Sequence, residues 1–202
     1  MATNLARTGF WPMSNSNDEC IQLRRVRVAS NNSTAIFWGD AVIRGSGVFT
    51  VATSGTAAIA SVAQGASYLD STQLVRKENM FLPASTTYSG TAFDYYGETD
   101  NSFIYVVSDV FGCRFEAQYV AAGTPALTDL TRNADISLGA GSTTTGVSGH
   151  LINSIATTQT FPLAVTDIKR NVLNDVTSVN SKLIVQANNI TVAPDFGGAT
   201  GQ

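Results

Sequence analysis

A chain of 202 residues is long enough to bury a sizeable core, but with a net charge of −3 and a pI near 5.0 it is too acidic to present a nucleic-acid-binding face. Charged side chains make up 13% of it, about half the usual ~25%, and Ser, Thr, Asn and Gly fill the gap, which suits strands, turns and surfaces that meet other protein without desolvating ions. Two cysteines, Cys20 and Cys113, and a single histidine exclude a zinc pattern and a disulfide scaffold, so two unpaired, largely buried thiols are expected.

The opening MATNLARTGFW has no apolar core of signal-peptide length, and no apolar run approaches a membrane span. The expectation is a soluble protein folded in a cytoplasm, where the sequons at Asn31, Asn32 and Asn189 carry no meaning. Residues 1–17 form an arm without helical or strand periodicity. Its Phe10 and Trp11 are poor choices for a disordered tail, so the arm is expected to dock, on its own domain or on a neighbour.

The stretch IQLRRVRVA places Ile21 and Leu23 on one parity and Val26 and Val28 on the other, which predicts a strand with a bulge near Arg24 and Arg25. The same arginines, with Arg7 upstream, form a small basic group that reads as a solvated strand face or an ion-pair seam. Short apolar runs at 34–37 and 41–43 flank Trp38-Gly39-Asp40, and Gly45-Ser46-Gly47 turns the chain into Val48–Ala52. Ala57–Ala63 followed by Gly65 and Tyr68 continues the rhythm of short strand and glycine turn, and 75–77 and 80–82 are further candidates, the latter stopped by Pro83.

In the middle of the chain, Thr91–Tyr96 and Ser102–Val107 flank the polar segment 97–101, a hairpin signal. The second run, Phe103-Ile104-Tyr105-Val106-Val107, has no alternation and predicts a central strand covered on both faces or pressed against another subunit. Residues 112–122 read as a strand with Phe115, Ala117 and Tyr119 on one face and Glu116 and Gln118 opposite. Thr124-Pro125 followed by ALTDLTR predicts a short helix capped by Thr124. Ile136 and Leu138 precede a Gly/Ser/Thr stretch at 139–149, two more strands follow at 163–169 and 182–187, and Val172, Val176 and Val179 have helical spacing. The fold expected is mainly β: a single sandwich or barrel-like domain of about ten short strands with at most two short helices. The domain spans 18–193, with the extended N-terminal arm before it and a flexible C-terminal tail at 194–202.

Chemistry-bearing patterns are few. Gly139-Ala-Gly-Ser-Thr-Thr-Thr-Gly146 has the glycines of a phosphate loop but lacks the following Lys, so it reads as a flexible connection. Gly146-Val-Ser148-Gly-His150 falls one residue short of a nucleophile elbow, and a histidine two positions along an extended strand is poorly placed to deprotonate Ser148. A satisfied or exposed histidine is the expectation, and no catalytic residue is assigned. Asp94, Glu98 and Asp100 could offer oxygens to calcium, but their spacing departs from an EF-hand loop and hairpin tips are commonly acidic for solubility alone. No metal or cofactor is assigned.

Taken in order, Gly9-Phe10-Trp11-Pro12, Ile36-Phe-Trp38-Gly39-Asp40-Ala-Val42, Gly65 and Tyr68, Leu82-Pro83-Ala84, Ala92-Phe-x-Tyr95 with Phe103-Ile-Tyr-Val, Thr143-Thr-Thr-Gly146-Val-Ser148-Gly149 before a strand, Pro162-Leu163 and Asn180-Ser-Lys182-Leu-Ile-Val185 give the chain its likeness to a known family. It resembles the head decoration proteins, or capsid cement proteins, of tailed bacteriophages. It departs from their pattern where 113–122 is more apolar and where the tail runs past the last strand. The resemblance implies a non-enzymatic virion protein, made in the host cytoplasm and bound to the outer surface of the capsid. Its partners would be the major capsid protein and further copies of itself in a homotrimer, with neither nucleic acid nor membrane. On that footing Phe10, Trp11, Pro12, Phe103 and Tyr105 are the candidate capsid or inter-subunit contacts, with the arm reaching a neighbouring subunit. The alternative is a carbohydrate- or receptor-binding β-domain of a phage tail or cell surface, with Trp38, Tyr95 and Tyr96 stacking on sugars. An enzyme acting through His150 comes third.

Overall fold

The computed structural model describes residues 8–15, 21–28, 32–45, 47–53, 58–70, 75–85, 102–119, 124–158, 160–170, 174–176 and 180–188. In chain order the strands are β1 (Trp11–Asn15), β2 (Leu23–Arg27), β3 (Ala41–Gly45), β4 (Val48–Val51), β5 (Ser61–Leu69) and β6 (Arg76–Asn79). They continue with β7 (Ser102–Val107), β8 (Cys113–Gln118), β9 (Asn133–Ser137), β10 (Leu151–Ala156), β11 (Leu163–Ile168) and β12 (Lys182–Ala187). The protein is mainly β, as its rhythm of short apolar runs and glycine turns predicts.

The strands form two antiparallel sheets, one ordered β1-β8-β12-β11-β9-β10 and the other β2-β7-β5-β3-β4 with β6 on β5. Single bridges draw each sheet round on itself. Tyr119, just past β8, meets Ile152 of β10, and Val28, just past β2, meets Phe49 of β4. The sandwich therefore has two curled halves, and its apolar residues divide accordingly. One cluster fills the first sheet (Phe115, Ile152, Leu163, Val165, Leu183, Val185) and extends to Ala41, Val62 and Val107 of the second, joining the two. The other, with Val28, Val42, Phe49, Tyr68, Ile104 and Val106, lies within the second sheet's own curl.

Strand β7 lies between β2 and β5, with Ile104 and Val106 in one cluster and Val107 in the other, so its unbroken apolar run reflects cover on both faces. The partner half of the expected hairpin, 91–101, lies outside the described residues, as do Cys20, the tail at 194–202 and Val172 and Val179. Cys113 is a buried free thiol, and burial pushes its pKa up to about 11.

Several expectations are corrected. There is no bulge in β2, which pairs residue for residue with β7; the change of parity arises because Leu23 is exposed, Ile21 packs on the cluster that joins the sheets, and Val26 and Val28 pack into the second sheet's own cluster. Gly65 is not a turn. It lies inside the nine-residue β5 with φ +142, where the ladder to β7 slips between Ala63 and Ala66, so glycine here makes a bulge instead of a reversal. The helix after Thr124 shrinks to a 3-10 turn, Leu127–Asp129, in which Asp129 accepts the Ala126 amide at 2.8 Å and Thr124 has no capping role. The strand expected at 112–122 is β8, and its second face is buried as well: β8 lies between β1 and β12, Glu116 has Lys169 and Lys182 as ion partners, and Gln118 donates to Asn180 at 2.9 Å.

The N-terminal segment from Thr8 is no free arm. Trp11–Asn15 forms an edge strand on β8, and Phe10 is 1% exposed in the chain's own core.

Candidate functional site

Three stretches that carry little regular structure meet at one junction: 8–10, 36–41 and 138–150. The meeting is dictated first by glycine. Gly9 (φ +85) and Gly39 (φ +90) face each other so closely that a Cβ on Gly39 would lie 3.0 Å from the Phe10 nitrogen. Backbone hydrogen bonds then close the junction. The Gly9 amide donates to the His150 carbonyl at 2.8 Å and the Phe10 amide to that of Gly39 at 2.9 Å. Trp38 exchanges bonds with the third stretch, its amide donating to Gly146 at 3.0 Å and its carbonyl accepting from Ser148 at 2.9 Å.

Inside this frame sit Asp40 and His150, each with a side chain only 3% exposed. One Asp40 oxygen accepts the Phe37 amide at 2.7 Å, which closes the tight turn over Trp38-Gly39, and the other lies 3.5 Å from His150 Nε2. The Ala41 amide donates to His150 Nδ1 at 3.2 Å, so the neutral ring carries its proton on Nε2, facing the carboxylate. Ser148 hydrogen-bonds the Asp40 carboxylate, and its oxygen accepts the His150 amide at 2.9 Å. Burial pushes Asp40 above its ordinary pKa, with His150, Ser148 and the Phe37 amide opposing, and the same burial pushes His150 below its own, with Asp40 opposing.

These are the residue types of a hydrolytic triad in a different order. The carboxylate is in the middle, Ser148 bonds to it instead of to the imidazole, and the lone pair a general base would use is occupied by Ala41. The arrangement satisfies buried polar groups and locks three chain segments together. A cavity of about 730 Å3 opens beside it, lined by Asp40 and His150 together with Phe37, Thr50, Leu138 and Gly141. A second, of about 390 Å3, lies beyond the 138–148 loop and is lined by Thr8, Trp11, Ser142, Thr145, Val147 and Ser148 among others.

The glycine-rich stretch is not a loose connection. The Ser142 amide donates to Val147 at 2.9 Å, the Gly146 amide to Ser142 at 2.7 Å, and Trp38 fastens the loop to the core as described. Its glycines serve close backbone packing.

The residues singled out from the sequence fall in two places. Phe10 is in the core, Trp11 stands edge-on to Trp38 with ring centroids 3.8 Å apart, and Pro12 is paired opposite Phe115. Phe103 and Tyr105 lie on the second sheet: Phe103 is buried beneath the Arg25 guanidinium, 4.2 Å from its ring centroid, and the Tyr105 hydroxyl donates to Glu78 at 3.2 Å. The fold does not bring the two groups together on one sheet. Asp94, Tyr95, Tyr96, Glu98 and Asp100 lie outside the described residues. Asp40 as partner of His150 was not legible, because the two are far apart in the chain; the only signals were a lone histidine and a Gly-Asp turn.

Among the described residues no group of His, Cys, Asp and Glu is disposed to hold a metal ion, and no helix is long and apolar enough to cross a membrane. No protein-family model matches the chain, and comparison with curated proteins and with solved structures finds no match.

Proposed function

We propose that this chain is a structural, non-enzymatic virion protein that binds the outer surface of a phage capsid and cements neighbouring major capsid subunits, acting as a homotrimer. The observation that carries this reading is the convergence of the segments through which the chain resembles head decoration proteins. Gly9-Phe10, Trp38-Gly39-Asp40 and the 143–149 stretch are remote in sequence yet meet at the Asp40–His150 junction, and Leu82 bridges to Ile36 beside it. The likeness thus falls on residues that hold the fold together, as a shared fold requires.

A chain poor in charged residues supports the same reading, since it can meet a protein lattice at little desolvation cost. Modest contacts repeated around a symmetric lattice then add up to strong resistance to internal pressure. With Phe10 committed to its own core, the lattice contacts fall to exposed apolar side chains such as Met13 (45%), Phe111 (50%) and Leu127 (64%). Mixed with bare, expanded capsids, the purified protein is expected to co-sediment up to a saturating occupancy, and its mass in solution to be that of three chains. A stable monomer that leaves bare capsids unoccupied would overturn the proposal.

A further inference from the structure

The second cavity is walled by an indole on one side and by a hydroxyl-rich turn on the other. Trp11 supplies the indole, held by its own Nε1 donating to the Thr8 carbonyl at 2.8 Å and by the edge-on contact with Trp38. The turn supplies Ser142 and Thr145. Each of their hydroxyl oxygens accepts a backbone amide, Ser142 from Thr145 at 3.2 Å and Thr145 from Val147 at 3.4 Å. Their hydroxyl protons have no acceptor among the described residues, which leaves two O–H donors beside an aromatic wall.

Among the described residues no charged side chain lines this cleft. Its volume of about 390 Å3 lies within the range of small-ligand sites, roughly 300–1,000 Å3. Its walls are fixed relative to each other, because Phe10 is tied to Gly39, Trp38 to Gly146 and Ser148 to Trp38 by backbone hydrogen bonds. A ligand therefore meets a site already in its bound shape, which spares the ordering cost of association.

We propose that this cleft binds a neutral saccharide. A sugar ring has a C–H face that packs on an indole and a rim of hydroxyl oxygens that accept from Ser and Thr hydroxyls, and it needs no counter-charge. A phosphorylated or carboxylated ligand would find no cation among the described residues of the cleft. The site differs from a stacking platform on Trp38, whose ring is engaged by Trp11, and it is independent of capsid binding.

The two tryptophans of the chain, Trp11 and Trp38, report on the cleft directly. The full chain is titrated with neutral hexoses, N-acetylhexosamines and their short oligomers, with inorganic phosphate and glucuronate as charged controls, and tryptophan emission is followed. At least one neutral sugar is expected to shift the emission saturably and the controls to leave it unchanged. Thr145→Val, on an exposed turn, keeps the side chain's shape and removes a donor, and is expected to weaken that sugar about three- to tenfold. Trp11→Phe tests the wall, with Trp38 remaining as reporter. If no neutral sugar shifts the emission at tens of millimolar, or if one binds equally well to both variants, the proposal fails.

Discussion

His150 carries its proton on Nε2 because Nδ1 accepts the Ala41 amide, so a second proton must sit where an N–H already points. Burial holds this imidazole below 6.5 in the folded chain, while the unfolded chain titrates near its ordinary value. Between those two values the unfolded state binds more protons, so the stability is complete above about pH 6.5 and drains away as the pH falls. Asp40 acts in the opposite sense: burial raises its pKa above 3.8, so its cost is present at neutral pH and eases as the pH falls through the raised value. The two effects oppose each other in acid, and the loss that begins at about pH 6.5 is His150's. The urea midpoint is expected to be lower at about pH 5.5 than at about pH 7.5, and His150→Gln, which keeps a donor toward Asp40 but cannot take a proton, to flatten that dependence. A wild-type midpoint that does not move over this interval rejects the argument. The lone histidine and the neighbouring Ser148 were visible in the sequence; what they do was not, because the deciding partner, Asp40, comes from a turn on another part of the chain and reaches them only through folding.

The elements that the sequence disclosed are those whose side chains report their surroundings. β7 announces burial on both faces by its apolar run, and β3, β4, β11 and β12 follow short apolar segments between turns. β1 does not, because WPMSN has no alternation; it is a strand by virtue of the ladder that β8 offers it, and β6, expected at 75–77, runs to Asn79 along β5. Gly65 shows the same dependence. Its left-handed backbone (φ +142) lies opposite β6, where a Cβ would sit 3.4 Å from the Asn79 carbonyl and 3.6 Å from the Tyr105 ring. The space tolerates a methyl group but the dihedral does not. Gly65→Ala is expected to cost about 1–3 kcal/mol, seen as a lower urea midpoint with an unchanged slope. A loss below about 0.5 kcal/mol would mean that β5 can re-register without the bulge.

For the whole molecule, the question is what the segment 8–13 contributes to the fold. Removing residues 1–13 takes away a buried phenylalanine, worth roughly 3–5 kcal/mol by itself, and most of an edge strand. Calorimetry of this truncation beside the full chain is expected to show a clearly lower melting temperature; equal melting temperatures would show that 8–13 contributes nothing to the fold. The way β1 is held also bears on how the protein is made. Its ladder partner β8 begins at Cys113, and the carbonyl that Gly9 needs belongs to His150. The contacts of Gly9 and β1 are therefore completed only after residue 150 has been made. Until then Phe10 and Trp11 have Gly39 and Trp38 beside them but not both the β8 ladder and the His150 carbonyl, so a nascent chain stalled before residue 150 is expected to leave this segment incompletely docked.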